Sequence, residues 1–182
     1  MVAEKVASEI LKLLGAHDAE NIWMVESDNM TIRMNSFPIC PEPDRAMGQG
    51  PHKDTSMITL IHELWKEDKT QSNVPTKDKT KGLQIFKEGI GWVPVNPDPD
   101  MIVVNVGDIL EILSNGRFKS LLHRVTVSGL SHRYSLGLFT RPSLDTLLCP
   151  IESPPRFRAV TLRELNVVKA KDPLNVASSL SI

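Results

Sequence analysis

The sequence predicts a mainly β domain, a sandwich or barrel, with an α-helix at each end. Three observations predict it. The middle of the chain holds many short apolar, β-branched stretches. Turn residues separate them at fairly regular intervals. Helices longer than one or two turns are expected only at the two ends, so the strand–helix alternation of a parallel α/β fold is missing.

The N-terminal element comes first. Val2, Val6, Ile10 and Leu13/Leu14 share one face at helical spacing, and Gly15 follows as a C-terminal stop. "TIRMNSFP" (31–38) reads as a strand ended by Pro38. "PICPEPDRAMGQGP" (38–51), with four prolines and two glycines, reads as loop throughout. "SMITLIHE" (56–63) reads as a strand. "GLQIFKEGIGWVPV" (82–95) reads as a hairpin turning at Gly89 and Gly91. A buried strand is expected over Ile102 to Val106. "ILEILSNG" (109–116) reads as one or two helical turns ending at Gly116. "LLHRVTVSG" (121–129) and "HRYSLGLFTRP" (132–142) read as two strands joined by a tight turn at Ser128–Ser131. "TLRE" (161–164) is a capping box, with Thr161 as N-cap, opening a last helix that Pro173 stops. "KEDKTQSNVPTKDKTK" (66–81) has almost no apolar residues and reads as a mobile surface loop.

Bulk composition excludes several classes. A length of 182 residues suits one domain with a real core. The formal net charge of −1 gives no basis for a nucleic-acid partner. No apolar run approaches a membrane span, and the N-terminus lacks the apolar core of a signal peptide. Cys40 and Cys149 form no C-x-x-C motif and read as buried thiols of a cytoplasmic protein.

The chemistry starts at "HKD", His52 to Asp54. In an extended segment residues two apart project to one side, so His52 and Asp54 can reach a common point. Alone, this H-x-D is a cheap coincidence. His17 and His132 read as surface or turn residues, and His62 as pointing out of its strand. His123 opens a strand 71 positions beyond His52 and can meet the pair only through tertiary folding. Two histidines and a carboxylate form the facial triad of non-haem Fe(II) oxygenases, although the same donors suit zinc. Ten and twelve residues beyond His123 stand Arg133 and Ser135, again two apart. A guanidinium fork beside a hydroxyl is a receptor for a carboxylate. The competing reading is an arginine and a serine on a solvated strand face. Beside a candidate iron triad, the pair fits a chelating acid with a distal carboxylate, of the shape of 2-oxoglutarate.

At this point the wording is similar to that of the plant 2-oxoglutarate- and Fe(II)-dependent dioxygenases. The resemblance runs from about Thr31 to Leu165, through "MNSFPICPEPDRAMG", "HKD", "GLQIFKEGIGWVPVNP", "VVNVGDILEILSNGRFKSLLHRV" and "RYSLGLF". Within that family the text most resembles the gibberellin 3-beta-dioxygenases. The resemblance implies a double-stranded β-helix with helices outside. It implies one catalytic domain over 1–182: a helical lead-in (1–30), the β-helix core (31–150), and a C-terminal helix and tail (151–182). His52, Asp54 and His123 would hold Fe(II), and Arg133 and Ser135 the distal carboxylate of 2-oxoglutarate. Asn35 matches a position lining the same pocket. The implied reaction uses O2 to hydroxylate an unactivated C–H bond of a small plant metabolite, a gibberellin, releasing succinate and CO2. Ascorbate would be an activator. Arg45, Arg124 and Arg141 are the cations available to anchor a substrate carboxylate, and each reads as structural or surface.

Three departures stand out. The family pattern N-x-Y-P has Phe37 in place of its tyrosine. One hydrogen bond to the co-substrate is then lost, a cost of about 1.5–3 kcal/mol. Residues 66–81 look like an insertion. The family's chains carry a longer N-terminal region, so this chain is expected to be truncated there. Three alternatives follow: a non-catalytic remnant that binds metal or ligand without turnover, a dioxygenase acting on another plant secondary metabolite, and a zinc-dependent hydrolase. The hydrolase leaves the R-x-S spacing unexplained.

Overall fold

In a computed structural model, residues 2–13, 15, 30–65, 82–98 and 100–182 are described. Helix α1 spans Val2–Leu13. Eight strands follow: β1 (Met30–Phe37), β2 (Met47–His52), β3 (Ile58–Trp65), β4 (Leu83–Lys87), β5 (Gly91–Pro94), β6 (Val103–Val106), β7 (His123–Thr126) and β8 (Arg133–Thr140). The short helix α2 (Asp108–Leu113) lies between β6 and β7. The C-terminal part holds β9 (Leu147–Leu148), β10 (Val160–Thr161), α3 (Leu162–Lys171) and α4 (Val176–Ser179).

Two four-stranded antiparallel sheets carry the fold, ordered β1-β8-β3-β6 and β2-β7-β4-β5. Apart from the β4–β5 hairpin, successive strands from β1 to β8 alternate between the sheets. That winding is a double-stranded β-helix, as the resemblance implied, and one form of the barrel that the strand pattern predicts.

Alternation along the strands decides what faces inward. In the first sheet, odd-numbered residues line the space between the sheets: Thr31 to Asn35 in β1, Thr59 to Glu63 in β3, Arg133 to Phe139 in β8. Phe37, Leu83, Val125 and Val127 close that space as a small apolar cluster. The even-numbered Ile58 and Leu60 point the other way. They join the larger core, built with Ala7 and Leu11 of α1, the apolar residues of α2, and Leu162, Leu165, Val176 and Leu180 near the C-terminus. The main hydrophobic core thus lies outside the barrel, under the helices. The inner face is left free for polar groups.

Most predicted elements appear, with corrections. The 38–51 stretch is not loop throughout, because Met47–His52 forms β2. That strand pairs only with β7, at a sheet edge and with two register shifts, where glycine and proline are tolerated. The strand at 102–106 is half exposed rather than buried, since it too is an edge. In α1 the buried face is Ala7 and Leu11 with Val6 and Ile10 beside them, while Leu13 is exposed. Cys149 is exposed and Cys40 half-buried, so the expectation of two buried thiols fails. Segments β9, β10 and α4 were not anticipated. Among the described residues no helix is long and apolar enough to cross a membrane. His17 and the 66–81 stretch lie outside the described residues.

Candidate metal and co-substrate site

His52 ends β2 and His123 begins β7, and the two are direct partners in the ladder. The register shift between Gln49 and His52 has a consequence for the site. Gln49 faces inward, and in a regular strand His52, three residues on, would face outward. The bulge turns it back, so both line the cavity. Asp54 follows two residues later. His52 Nε2 and His123 Nε2 each lie 3.6 Å from Asp54 Oδ1. One donor atom from each residue falls within 4.8 Å of the others. The sequence-predicted triad is therefore assembled in space.

Neighbouring groups fix the orientation of all three side chains. His52 Nδ1 lies 2.9 Å from the Gly50 carbonyl, and His123 Nδ1 lies 3.0 Å from the Leu121 carbonyl. Each carbonyl favours a proton on Nδ1, which leaves Nε2 as the lone-pair donor. Asp54 Oδ2 accepts hydrogen bonds from Thr59 Oγ1 (2.8 Å) and Asn105 Nδ2 (2.7 Å). Its other oxygen, Oδ1, is the one facing the imidazoles. Burial, aided by His123, holds His52 below its ordinary pKa against the opposing pull of the Gly50 carbonyl and Asp54, so the neutral ligand form is favoured. Two imidazole nitrogens and one carboxylate oxygen, each backed by a second hydrogen bond, fit a divalent first-row cation. Gln49 Nε2 is 3.0 Å from His52 Nε2. Lys53 turns its carbonyl to Lys169 Nζ (3.1 Å).

Farther along the same cavity, of about 300 Å³, stand Arg133 and Ser135, both buried and both facing in. Asn35 is the cross-strand partner of Ser135 and donates to its hydroxyl at 3.2 Å. Phe37 is the partner of Arg133, and its ring lies 4.5 Å from the guanidinium carbon. Phe37 thus supports the guanidinium by cation–π contact where a tyrosine hydroxyl would have added a polar group. On the other side of Ser135, in β3, is Glu63. Its Oε1 accepts from Arg133 Nη1 at 2.6 Å, with both side chains buried. Burial pushes the Glu63 carboxyl up against the pull of Arg133 and the Leu83 amide. Burial likewise lowers Arg133 against the pull of Glu63.

Sequence reasoning missed Glu63, Thr59, Asn105 and Gln49. A signal existed for Glu63: it shares the odd parity of Thr59 and Ile61, and so their face of β3. Of the arginines considered as anchors, Arg45 pairs with Glu42 on the surface and Arg124 stacks on Trp92. Arg141 instead lines the cavity, together with Arg33, which was not singled out.

The model of the 2OG-Fe(II) oxygenase superfamily matches residues 28–142, well over half of the chain. The chain belongs to that family. Gibberellin 3-beta-dioxygenase 1 of Arabidopsis thaliana is 36% identical over 183 residues, covering 92% of this chain and 47% of that protein. Oxoglutarate-dependent flavonoid 7-O-demethylase 1 of Ocimum basilicum is 32% identical, covering 90% and 42%. This member of the superfamily therefore spans about half the length of the curated relatives it matches. Among solved structures, that of JOX2 in complex with 2OG, Fe, and JA superposes with a TM-score of 0.78 at 25% identity, over 99% of this chain and 52% of that one. The dioxygenase for auxin oxidation of rice, at 23% identity and a TM-score of 0.76, covers 97% and 58% and shares the fold.

Proposed function

We propose that the protein is an Fe(II)- and 2-oxoglutarate-dependent dioxygenase that hydroxylates an unactivated C–H bond of a small carboxylated plant metabolite, a gibberellin oxidised in the 3-beta manner. The observation that carries this reading is one cavity with the His52–Asp54–His123 donor set at one end and the Arg133–Ser135 pair beside it. A zinc hydrolase leaves the R-x-S spacing beside the donor set unexplained.

In this reading His52 Nε2, His123 Nε2 and Asp54 Oδ1 hold Fe(II), and Asn105 and Thr59 keep Asp54 aimed. Bound iron supplies the oxidative decarboxylation of 2-oxoglutarate by O2, yielding succinate and CO2 and the oxidising power for C–H hydroxylation. Arg133 and Ser135 take the distal carboxylate and so set the co-substrate's direction in the cavity. Asn35 turns the Ser135 hydroxyl, and Phe37 and Leu83 exclude water from the guanidinium. Arg33 and Arg141, at the rim with Phe139, give an acidic, largely apolar substrate both a cation and an apolar wall. Ascorbate is the expected activator, and the cytoplasm the expected location. The substrate class rests on the gibberellin 3-beta-dioxygenases among the relatives, from Arabidopsis thaliana, Pisum sativum and Triticum aestivum.

The test is anaerobic addition of Fe(II) and 2-oxoglutarate, followed by oxygen and a gibberellin precursor. A visible charge-transfer band and substrate-dependent succinate release are expected, and His123→Ala should abolish both. Full turnover in that variant would overturn the metal assignment. A second reading, a protein that binds metal without turnover, draws on the Glu63 carboxylate already seated on Arg133. It predicts metal binding with no succinate.

A further inference from the structure

We infer that Glu63 is an internal competitor for the co-substrate clamp: its carboxylate occupies Arg133 and sets how strongly the pocket holds a dicarboxylic keto acid. The inference rests on the proposed role of Arg133 and goes beyond it.

The row across the sheet is Asn35, Ser135, Glu63, from β1 through β8 to β3. All three face the cavity. Glu63 reaches Arg133 Nη1 at 2.6 Å, a short charge-assisted hydrogen bond, with each side chain 4% exposed. The pair is electrically balanced where it stands. A distal carboxylate arriving at Arg133 would place two anions on one buried cation. Like charges this close and this dry repel strongly, so the newcomer is accepted only as Glu63 yields the guanidinium or its charge. Shape also limits escape. A Cβ built on Gly82 would sit 3.2 Å from the Arg133 guanidinium, and the Phe37 ring covers another side. The guanidinium is thus held in place, and the contest is settled at Glu63. A monocarboxylic keto acid, which reaches the metal alone, never meets Glu63.

The experiment compares 2-oxoglutarate with 2-oxopentanoate, which has the same keto acid end and chain length but no distal carboxylate. Calorimetric Kd values are measured on the full chain loaded with redox-silent Mn(II). The ratio of the two isolates the clamp. Glu63→Gln should raise the preference for 2-oxoglutarate by about tenfold or more, the worth of one charge-assisted hydrogen bond, and leave 2-oxopentanoate unchanged. Glu63→Asp keeps the charge and withdraws it by one methylene, so it carries the test if the glutamine variant does not fold. It should raise the preference by a smaller factor. An unchanged or reduced preference in a folded variant overturns the inference and makes Glu63 a support for Arg133. Arg133→Met should erase the wild-type preference. If it does not, the clamp assignment itself falls, which is a separate outcome from failure at Glu63.

Discussion

Asn105 donates its side-chain amide to Asp54 Oδ2 at 2.7 Å, 51 residues away in sequence, and so dedicates the opposite oxygen to the two imidazoles. Asn105 sits in β6 directly across from Thr59, the second donor to the same oxygen. Removing one of two such partners leaves the carboxylate free to rotate. Asn105→Ala should weaken metal affinity roughly ten- to hundredfold. Fluorescence or calorimetric titration with Mn(II) checks it, with the melting curve as control for the fold. Undiminished affinity would mean that Thr59 alone orients Asp54.

Gly107 makes the other support of this region intolerant of change. A Cβ there would lie 1.8 Å from the Ser56 carbonyl oxygen, a backbone atom that cannot swing aside. The contact is close because two backbone bonds cross it: Gly107 N–H to the Met57 carbonyl (3.1 Å) and Asp108 N–H to the Asp54 carbonyl (2.8 Å). Gly107→Ala should cost about 3 kcal/mol, the upper end of overpacking effects, read as a fall in the denaturant midpoint. It should also loosen metal binding, because the segment carrying Asp54 and the strand carrying Asn105 separate.

Much of this site was legible in the sequence because strand parity carries far. His52 and Asp54, and Arg133 and Ser135, pair by spacing alone; the odd parity of β8 does set Arg133 and Ser135 inward, while His52 faces in only through the register shift at the end of β2. What spacing cannot give is the partner across the sheet. Glu63 meets Arg133 through the β3–β8 register, and Asn105 stands opposite Thr59, within reach of Asp54, through the β3–β6 register. β2 escaped notice for a different reason. Its Gly48 and Gly50 suggested a loop, but at Gly48 the small residue serves packing: a Cβ there would lie 2.6 Å from the Phe37 ring that supports Arg133. Composition reported the glycines correctly and their cause wrongly.

Lys169 of α3 reaches across 61 residues to Asp108 Oδ2 at 2.6 Å, and its Nζ also bonds the Lys53 carbonyl at 3.1 Å. The C-terminal helix thereby holds the loop between His52 and Asp54. Asp108 is almost fully buried, and burial pushes its carboxyl above the usual range against the pull of Lys169. Lys169→Met removes the compensating cation and should cost about 3 kcal/mol. Adding Asp108→Asn should recover part of the loss. If the double variant is no more stable than the single, the damage comes from the released Lys53 carbonyl rather than from the stranded carboxylate.

The capping box at the start of α3 gives the acid-sensitive step. Glu164 Oε2 accepts from the Thr161 amide at 2.9 Å and from its hydroxyl at 3.1 Å, while the Glu164 amide donates back to Thr161 Oγ1 at 3.2 Å. The Thr161 amide is the main cause holding the Glu164 carboxyl below its ordinary value of 4.5. A carboxyl with a depressed folded-state pKa binds its proton less readily when folded. Its stabilisation is therefore complete above the unfolded value of 4.5 and fades as pH falls through the lower folded value. Glu164→Gln should destabilise the chain at neutral pH, and the gap to wild type should close in acid. Thr161→Ala should cost about 1 kcal/mol at neutral pH, because the Glu164 amide loses its acceptor. Chemical denaturation of the three proteins across the acid range checks both. A gap between wild type and Glu164→Gln that persists unchanged below the folded value would show that the glutamate acts by packing and not by its charge.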